Sequence, residues 1–310
     1  MAGKTRKVVA AEKGGLHPRN RHRARYDFAT LMRESPLLAR FIRPTPYGDD
    51  SIDFADPEAV LALNRALLKH DYGISSWDIP PGYLCPPVPG RADYVHHMAD
   101  LLAAGNGGVV PRGDSVVVLD IGVGANCIYP IIGRAEYGWR FVGTDIDPAA
   151  LSSAKKIVAA NPSLAGSVEC RLQPRPDRVF DAIIKPGETF ALCICNPPFH
   201  SSAAEANAGT RRKLRNLSGG KKAPEAVLNF GGQNTELWCR GGEVAFLQQM
   251  IAESAERPEL CGWFTSLVST RDHLPAIERF LRAVNVAEVR ILELAHGQKQ
   301  SRIVAWTFRR

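Results

Sequence analysis

Val116-Val117-Val118-Leu119-Asp120-Ile121-Gly122-Val123-Gly124 begins as a β-branched apolar run and ends in two glycines one residue apart. Such a run suits a strand buried on both faces, as in the middle of a parallel sheet. Glycines at the turn that follows let the backbone approach a ligand closely, at the crevice where open α/β sheets hold cofactors. Helix-compatible Ile128-Tyr129-Pro130-Ile131-Ile132 comes next, and a second strand, Arg140-Phe141-Val142-Gly143-Thr144, ends at Asp145. An acidic side chain there can accept hydrogen bonds from ribose hydroxyls. Pro148 then stands at the first turn of a helix expected over Ala149 to Ala160, a position that suits proline.

Further strands are expected at Val168–Leu172, Leu192–Cys195, Trp263–Val268, Glu288–Leu294 and Ile303–Phe308, with helices near Glu243–Ala255 and Pro275–Val284. Strands alternating with helices imply a doubly wound α/β sheet with right-handed crossovers. A closing hairpin around Gly297 to Arg302 would add one antiparallel edge strand. Upstream, residues 26–111 read as an accessory region, with helical patterns in Pro57–His70 and Tyr94–Ala103 and a proline-rich join, Ile79–Gly90, that cannot be a long regular element. The catalytic domain is expected over 112–310. Within it, residues 200–242 have little periodicity and much Gly, Arg and Lys, which marks a substrate loop at a pocket mouth.

The other telling junction is Phe190-Ala191-Leu192-Cys193-Ile194-Cys195, running into Asn196-Pro197-Pro198-Phe199. Two prolines fix φ and remove two backbone donors, so the chain turns rigidly at the end of a buried strand. The turn should hold the Asn196 amide oxygen and the Pro197 carbonyl in one pocket, with the Phe199 ring beside them. Two converging acceptors suit the hydrogens of an exocyclic amine, and the ring offers a flat base a stacking surface. A dinucleotide fingerprint would need a third glycine where Cys127 stands, and no Gly-rich loop leads into Gly-Lys-Ser/Thr. Asp-x-Gly-x-Gly, an acid after the second strand, then Asn-Pro-Pro-Phe after the fourth is instead the order of an S-adenosyl-L-methionine (SAM) methyltransferase acting on an amino nitrogen.

The chain has 310 residues and a net charge of +7. Residues 1–25 carry +7 and residues 211–222 carry +6, so the remainder is −6. Basicity confined to two segments is the footprint of contact with a phosphate backbone. The first segment, with Arg19, Arg21 and Arg23, is expected to be a basic flexible arm. The second supplies Arg211, Arg212, Lys213, Arg215, Lys221 and Lys222 as phosphate ligands. Seven cysteines are scattered without a Cys-x-x-Cys pair, and His96-His97 diverge on a helix, so neither a disulfide framework nor a metal site is expected. Cys193 and Cys195 read as small core hydrophobes. No apolar run spans a bilayer and no secretory signal is evident, which suits a soluble reducing compartment.

Longer strings carry a resemblance. Gly15-Leu16-His17-Pro18-Arg19-Asn20-Arg21, Trp77-Asp78-Ile79-Pro80, Leu84 to Tyr94, Asp120 to Pro130, Asn229-Phe230-Gly231-Gly232-Gln233 and Ile303 to Phe308 together resemble the bacterial ribosomal RNA large-subunit methyltransferase F family of adenine-N6 methyltransferases. A more distant likeness is to the eukaryotic methyltransferase-like enzymes that modify U6 small nuclear RNA. The resemblance implies a Rossmann-like class I SAM-dependent methyltransferase, with a seven-stranded mostly parallel sheet and an N-terminal accessory and RNA-binding region. It implies a cytoplasmic enzyme acting on N6 of one adenine of 23S rRNA, numbered 1618 in the family's enzyme name, on free rRNA or an assembly intermediate. An arginine matching Arg91 touches the cofactor pocket in the eukaryotic relatives. Relatives often carry Glu where this chain has Asp145.

Catalytic roles are thus expected at Asn196, Pro197, Pro198 and Phe199. Cofactor contacts are expected at Arg91, Asp120, Gly122, Gly124, Asp145, Gln173 and Asn196, with His200 and Asn229 near the acceptor. The residues alone leave other acceptors open, among them another RNA of the U6 kind. A protein glutamine amide also presents an NH₂ group to Asn-Pro-Pro-aromatic, and a non-catalytic RNA-binding factor could keep the same pocket.

Overall fold

A computed structural model describes residues 15–202, 204–205, 234–296 and 299–309. After a 3-10 turn at Arg21–Arg23 come α1 (Phe28–Glu34), the small hairpin β1 (Ile42–Pro44) and β2 (Asp50–Ile52), then α2 (Pro57–Tyr72) and α3 (Val88–Ala104). The sheet strands are β3 (Val117–Ile121), β4 (Arg140–Asp145), β5 (Val168–Leu172), β6 (Phe190–Cys195), β7 (Cys261–Val268), β8 (Glu288–His296) and β9 (Lys299–Thr307). Between them run α4 (Ile128–Tyr137), α5 (Pro148–Ala160), α6 (Asn234–Leu237), α7 (Gly242–Glu256) and α8 (Leu274–Ala283).

The seven strands lie in the order β5-β4-β3-β6-β7-β9-β8. β3 pairs in parallel with β4 on one side and β6 on the other, so the glycine turn, Asp145 and Asn196 emerge from three adjacent strand ends. This reversal of strand order opens the crevice that doubly wound sheets use for ligands. The antiparallel strand is β9, held between β7 and β8.

Local chemistry sets the helix starts. Asp56 and Asp147 cap α2 and α5 by accepting from the amides of Glu58 and Ala149 at 2.9 and 2.8 Å, with a proline in each first turn. α3 begins at Val88, six residues before the helical pattern anticipates it. Pro89 sits in its first turn, where a missing N–H breaks no bond.

Two cores flank the sheet. One packs Tyr94, Met98, Ile132, Trp139 and Phe141, among others, and the other Leu119, Phe180, Met250, Phe264 and Trp306. α3 belongs to the first: the Tyr94 hydroxyl lies 2.8 Å from Thr265 Oγ1 on β7. The expected division near residue 112 therefore falls on the chain, while the core continues across it.

The basic start of the chain corrects one expectation. From Gly15 onward it is docked, not a flexible arm. The Asp93 carboxylate accepts from the His17 amide and from Asn20 Nδ2, each at 2.8 Å. The His17 ring stacks on His96 with centroids 5.3 Å apart, and its Nε2 is 2.8 Å from Asp100. Arg19 donates to Asp100 at 2.7 Å and Arg21 to Glu136 at 2.6 Å. Burial pushes the Asp100 carboxyl up, but the bonds from His17 and Arg19 outweigh it and hold it below the ordinary range. Acids on α3 and α4, far along the sequence, fasten this segment.

Candidate active site

The strand ends line a cavity of about 380 Å³, within the size range of small-molecule and cofactor sites. At one end, Gly122 and Gly124 take φ of +75° and +64°. A side chain at either would strain the backbone. The amides of Gly122 and Val123 donate to the Thr144 carbonyl at 2.9 and 2.8 Å, so β4 holds the turn. Asp145 Oδ2 accepts from the Gly124 amide at 2.9 Å, and Oδ1 from the Asp147 amide at 2.9 Å. Each oxygen keeps a second lone pair for a ligand hydroxyl. Burial raises the Asp145 carboxyl above its ordinary value, against the pull of those two amide donors.

Asp120 behaves otherwise. It is fully buried, it does not line the cavity, and neither oxygen has a hydrogen-bond partner among the described residues. Burial, reinforced by the charge of Asp145, pushes its carboxyl well above the ordinary range. A cofactor contact by Asp120 is thus corrected: the side chain is buried off the cavity wall. Gln173 does line the cavity, but its amide is used to shape the wall. It donates to the Asp181 carbonyl at 2.8 Å and accepts from the Arg175 amide at 2.9 Å.

At the other end stand Asn196, Pro197 and Pro198. Arg91, buried on α3, donates through one Nη1 to the Asn196 amide oxygen and to the Tyr129 hydroxyl, both at 2.9 Å. This fixes which way the Asn196 oxygen faces. Phe199 is half-buried and lies outside the cavity lining, so the structure does not place its ring on the wall as expected. His200 is paired through its backbone, donating to the Leu237 carbonyl at 3.0 Å and accepting from the Cys239 amide at 3.1 Å. That pairing brings in Glu236, Trp238, Cys239, Arg240 and Phe246 as lining residues. Glu236 Oε2 accepts from the Leu84 amide at 3.0 Å, and the Tyr83 hydroxyl donates to Asp147 at 2.6 Å, so the 83–86 segment closes the wall. Sequence reasoning misses Tyr129, Glu236 and Trp238. The Thr-Glu-Leu-Trp string at 235–238 is aperiodic, and only its pairing with His200 locates it.

Among the basic candidates, Arg19 and Arg21 are engaged with acids, and Arg23 donates to the Pro18 carbonyl. Arg19 and Arg21 each keep more than a third of the side chain exposed. Arg211, Arg212, Lys213, Arg215, Lys221, Lys222 and Asn229 lie outside the described residues. Among the described residues no group of three or more His, Cys, Asp or Glu side chains is placed to hold a metal ion, and no helix is long and apolar enough to cross a membrane.

Residues 10–310 match a family model described as RNA methyltransferase. Similar proteins include the ribosomal RNA large subunit methyltransferase F of Yersinia enterocolitica, 59% identical over 98% of this chain and 90% of the relative. That of Serratia proteamaculans is 57% identical over the same shares. Among solved structures, the hMettl16 catalytic domain in complex with MAT2A 3'UTR hairpin 6 superposes with a TM-score of 0.79 at 31% identity, covering 96% of this chain and 98% of that one. The N-terminal domain of human METTL16 in complex with SAH gives 0.74 at 28% identity, covering 95% and 99%. These likenesses run the length of the chain and agree with a methyl-transfer cleft at three adjacent strand ends, so the chain belongs to the RNA methyltransferase family, alongside the ribosomal RNA large subunit methyltransferase F proteins.

Proposed function

We propose that this protein methylates N6 of one adenine in 23S rRNA, using SAM as donor. One observation carries the reading: the Asp145 carboxylate and the Asn196 amide oxygen, held by Arg91, line the same cavity. The residues present fit SAM. Asp145 offers acceptors to ribose hydroxyls, Gly122 and Gly124 add no side chain of their own to the turn, and Arg91 lines the same cavity. When bound, SAM supplies a methyl group already activated on a sulfonium.

The protein then has mainly to place a nucleophile in line with that methyl. Adenine N6 is a poor nucleophile because its lone pair is delocalised into the ring. Asn196 Oδ1 already accepts from Arg91, but an amide oxygen has two lone pairs, so one remains for an N6 hydrogen. The Pro197 carbonyl takes the other hydrogen. Both bonds favour a pyramidal nitrogen whose lone pair faces the methyl. The methylated nitrogen is strongly acidic and loses its proton without a dedicated base. The target base must leave its stack, which costs a few kcal/mol and least in a single-stranded or loop site.

The relatives' names support ribosomal RNA as the substrate, and the chain's two basic segments suit it. The adenine numbered 1618 is the position that the family resemblance implies, with a cytoplasmic site of action. Incubation with tritiated SAM and 23S rRNA from cells lacking this protein, followed by mapping, should yield N6-methyladenine at one site. Label in a release-factor glutamine and none in RNA would favour the amide reading instead. No transfer to RNA or protein would favour a binding factor.

A further inference from the structure

Five tryptophans punctuate the chain, and their indole N–H groups fare differently. Trp77 donates to the Asn126 carbonyl at 2.8 Å, Trp139 to the Pro111 carbonyl at 2.8 Å, and Trp306 to Ser254 Oγ at 3.0 Å. Trp263 is half-buried, with Arg290 over its ring. Trp238 Nε1 is buried and has no hydrogen-bond partner among the described residues. A buried donor without a partner is disfavoured, and native folds rarely keep one without a use.

Its surroundings indicate the use. Trp238 lines the cavity together with Asn196, Pro197 and Pro198. Its backbone bridges to His200 in parallel, so it is tied to the same rigid corner. On its other side, the Gly242 amide donates to the Cys239 carbonyl at 2.9 Å and leads into α7. The backbone is therefore held from both directions, and the side chain lines the same cavity as the two acceptors assigned to the N6 amine.

We infer that Trp238 reads the acceptor base, its indole N–H donating to an adenine ring nitrogen next to the held amine. This rests on the proposed reaction. Adenine presents an amine flanked by N1 and N7, both acceptors. Two acceptors beside one donor complement that edge. Guanine presents the O6 acceptor where the amine would be, so Asn196 and the Pro197 carbonyl would face lone pairs. Uracil lacks an exocyclic amine altogether. Asn196 and the Pro197 carbonyl thus select for the amine and set the reaction geometry, and Trp238 adds the contact to the ring nitrogen beside it.

The test uses single-turnover methyl transfer to an rRNA fragment whose target adenine is intact or replaced by 1-deaza- or 7-deazaadenine. Wild type should lose about tenfold on one of the two analogues, the size expected for one lost hydrogen bond in a buried site. Trp238→Phe should lose a similar factor on adenine and nothing further on that analogue, with SAM affinity within about twofold of wild type. Equal transfer by Trp238→Phe and wild type overturns the inference, as do losses that multiply on both analogues. If the variant does not fold, wild type alone decides, and equal rates on all three RNAs overturn the assignment. In each of those cases wild type still methylates adenine and the parent reading stands. Absence of transfer to any RNA by wild type removes both.

Discussion

At the Asp145 end, the cavity wall is made of neighbouring backbone: the Gly122–Gly124 turn hangs from Thr144, and its amide is received by Asp145 only 21 positions away. At the Asn196 end, the wall is made of side chains from distant segments. Arg91 reaches Asn196 across 105 positions, and the backbone of Trp238 bridges to His200 just beyond the Asn-Pro-Pro corner. The first end is a local consequence of strand, turn and strand. The second exists only after the accessory helix α3 and the segment at 236–240 have been packed onto the sheet. A donor common to many enzymes can be held by a local device, whereas a particular acceptor requires groups gathered from the whole chain.

If the two ends are separable in this way, Asn196→Ala should lower the transfer rate about a hundredfold or more, the scale of losing one positioned polar group, and leave SAM affinity within about twofold. Single-turnover rates beside calorimetric SAM titration would check it, and a collapse of SAM binding would break the comparison. Asp145→Ala should do the reverse. Losing hydrogen bonds to a charged group should weaken SAM by roughly ten- to a hundredfold, with RNA affinity unchanged in a filter-binding assay.

The smallest effect lies in α3, which carries Arg91 and, farther along, His96 and Asp100. Burial, aided by the nearby positive charge of His17 and Arg19, brings the His96 ring down to about 3. The unfolded chain binds that proton near pH 6.5 while the folded one does not. Stability from His96 is thus complete above about 6.5 and is lost as pH falls from there towards 3. At pH 5 the loss amounts to up to about 2 kcal/mol. Depressed Asp100 adds loss in the same direction. Thermal melts from pH 7 to 5 should show the decline, less steeply in His96→Gln. An identical slope in the variant would detach His96 from the dock.

The same contrast explains what the sequence discloses. β3, the glycine turn, Asp145 and the Asp147-capped helix follow from residues adjacent in the chain, and the structure has them where the pattern puts them. The junction from β6 into Asn196 is likewise readable, because two prolines state their own geometry. Arg19 and Arg21 are different. Read as charge alone they belong with a solvated arm, because Asp100 and Glu136 lie 81 and 115 positions away. Asp120 shares a motif with the cofactor turn, yet packing on both faces of the sheet buries its side chain away from the cavity. Trp238 has no local signal at all, since only the bridge to His200 gives it a place.

That bridge reaches beyond chemistry. Positions 200 and 238 lie side by side, so the intervening chain departs and returns through one doorway. Closing such an excursion costs little more when it lengthens, about 0.6 kcal/mol per doubling. The length of chain between them can therefore change at little cost while the pairing of 200 with 238 keeps the corner beyond Asn196 in place.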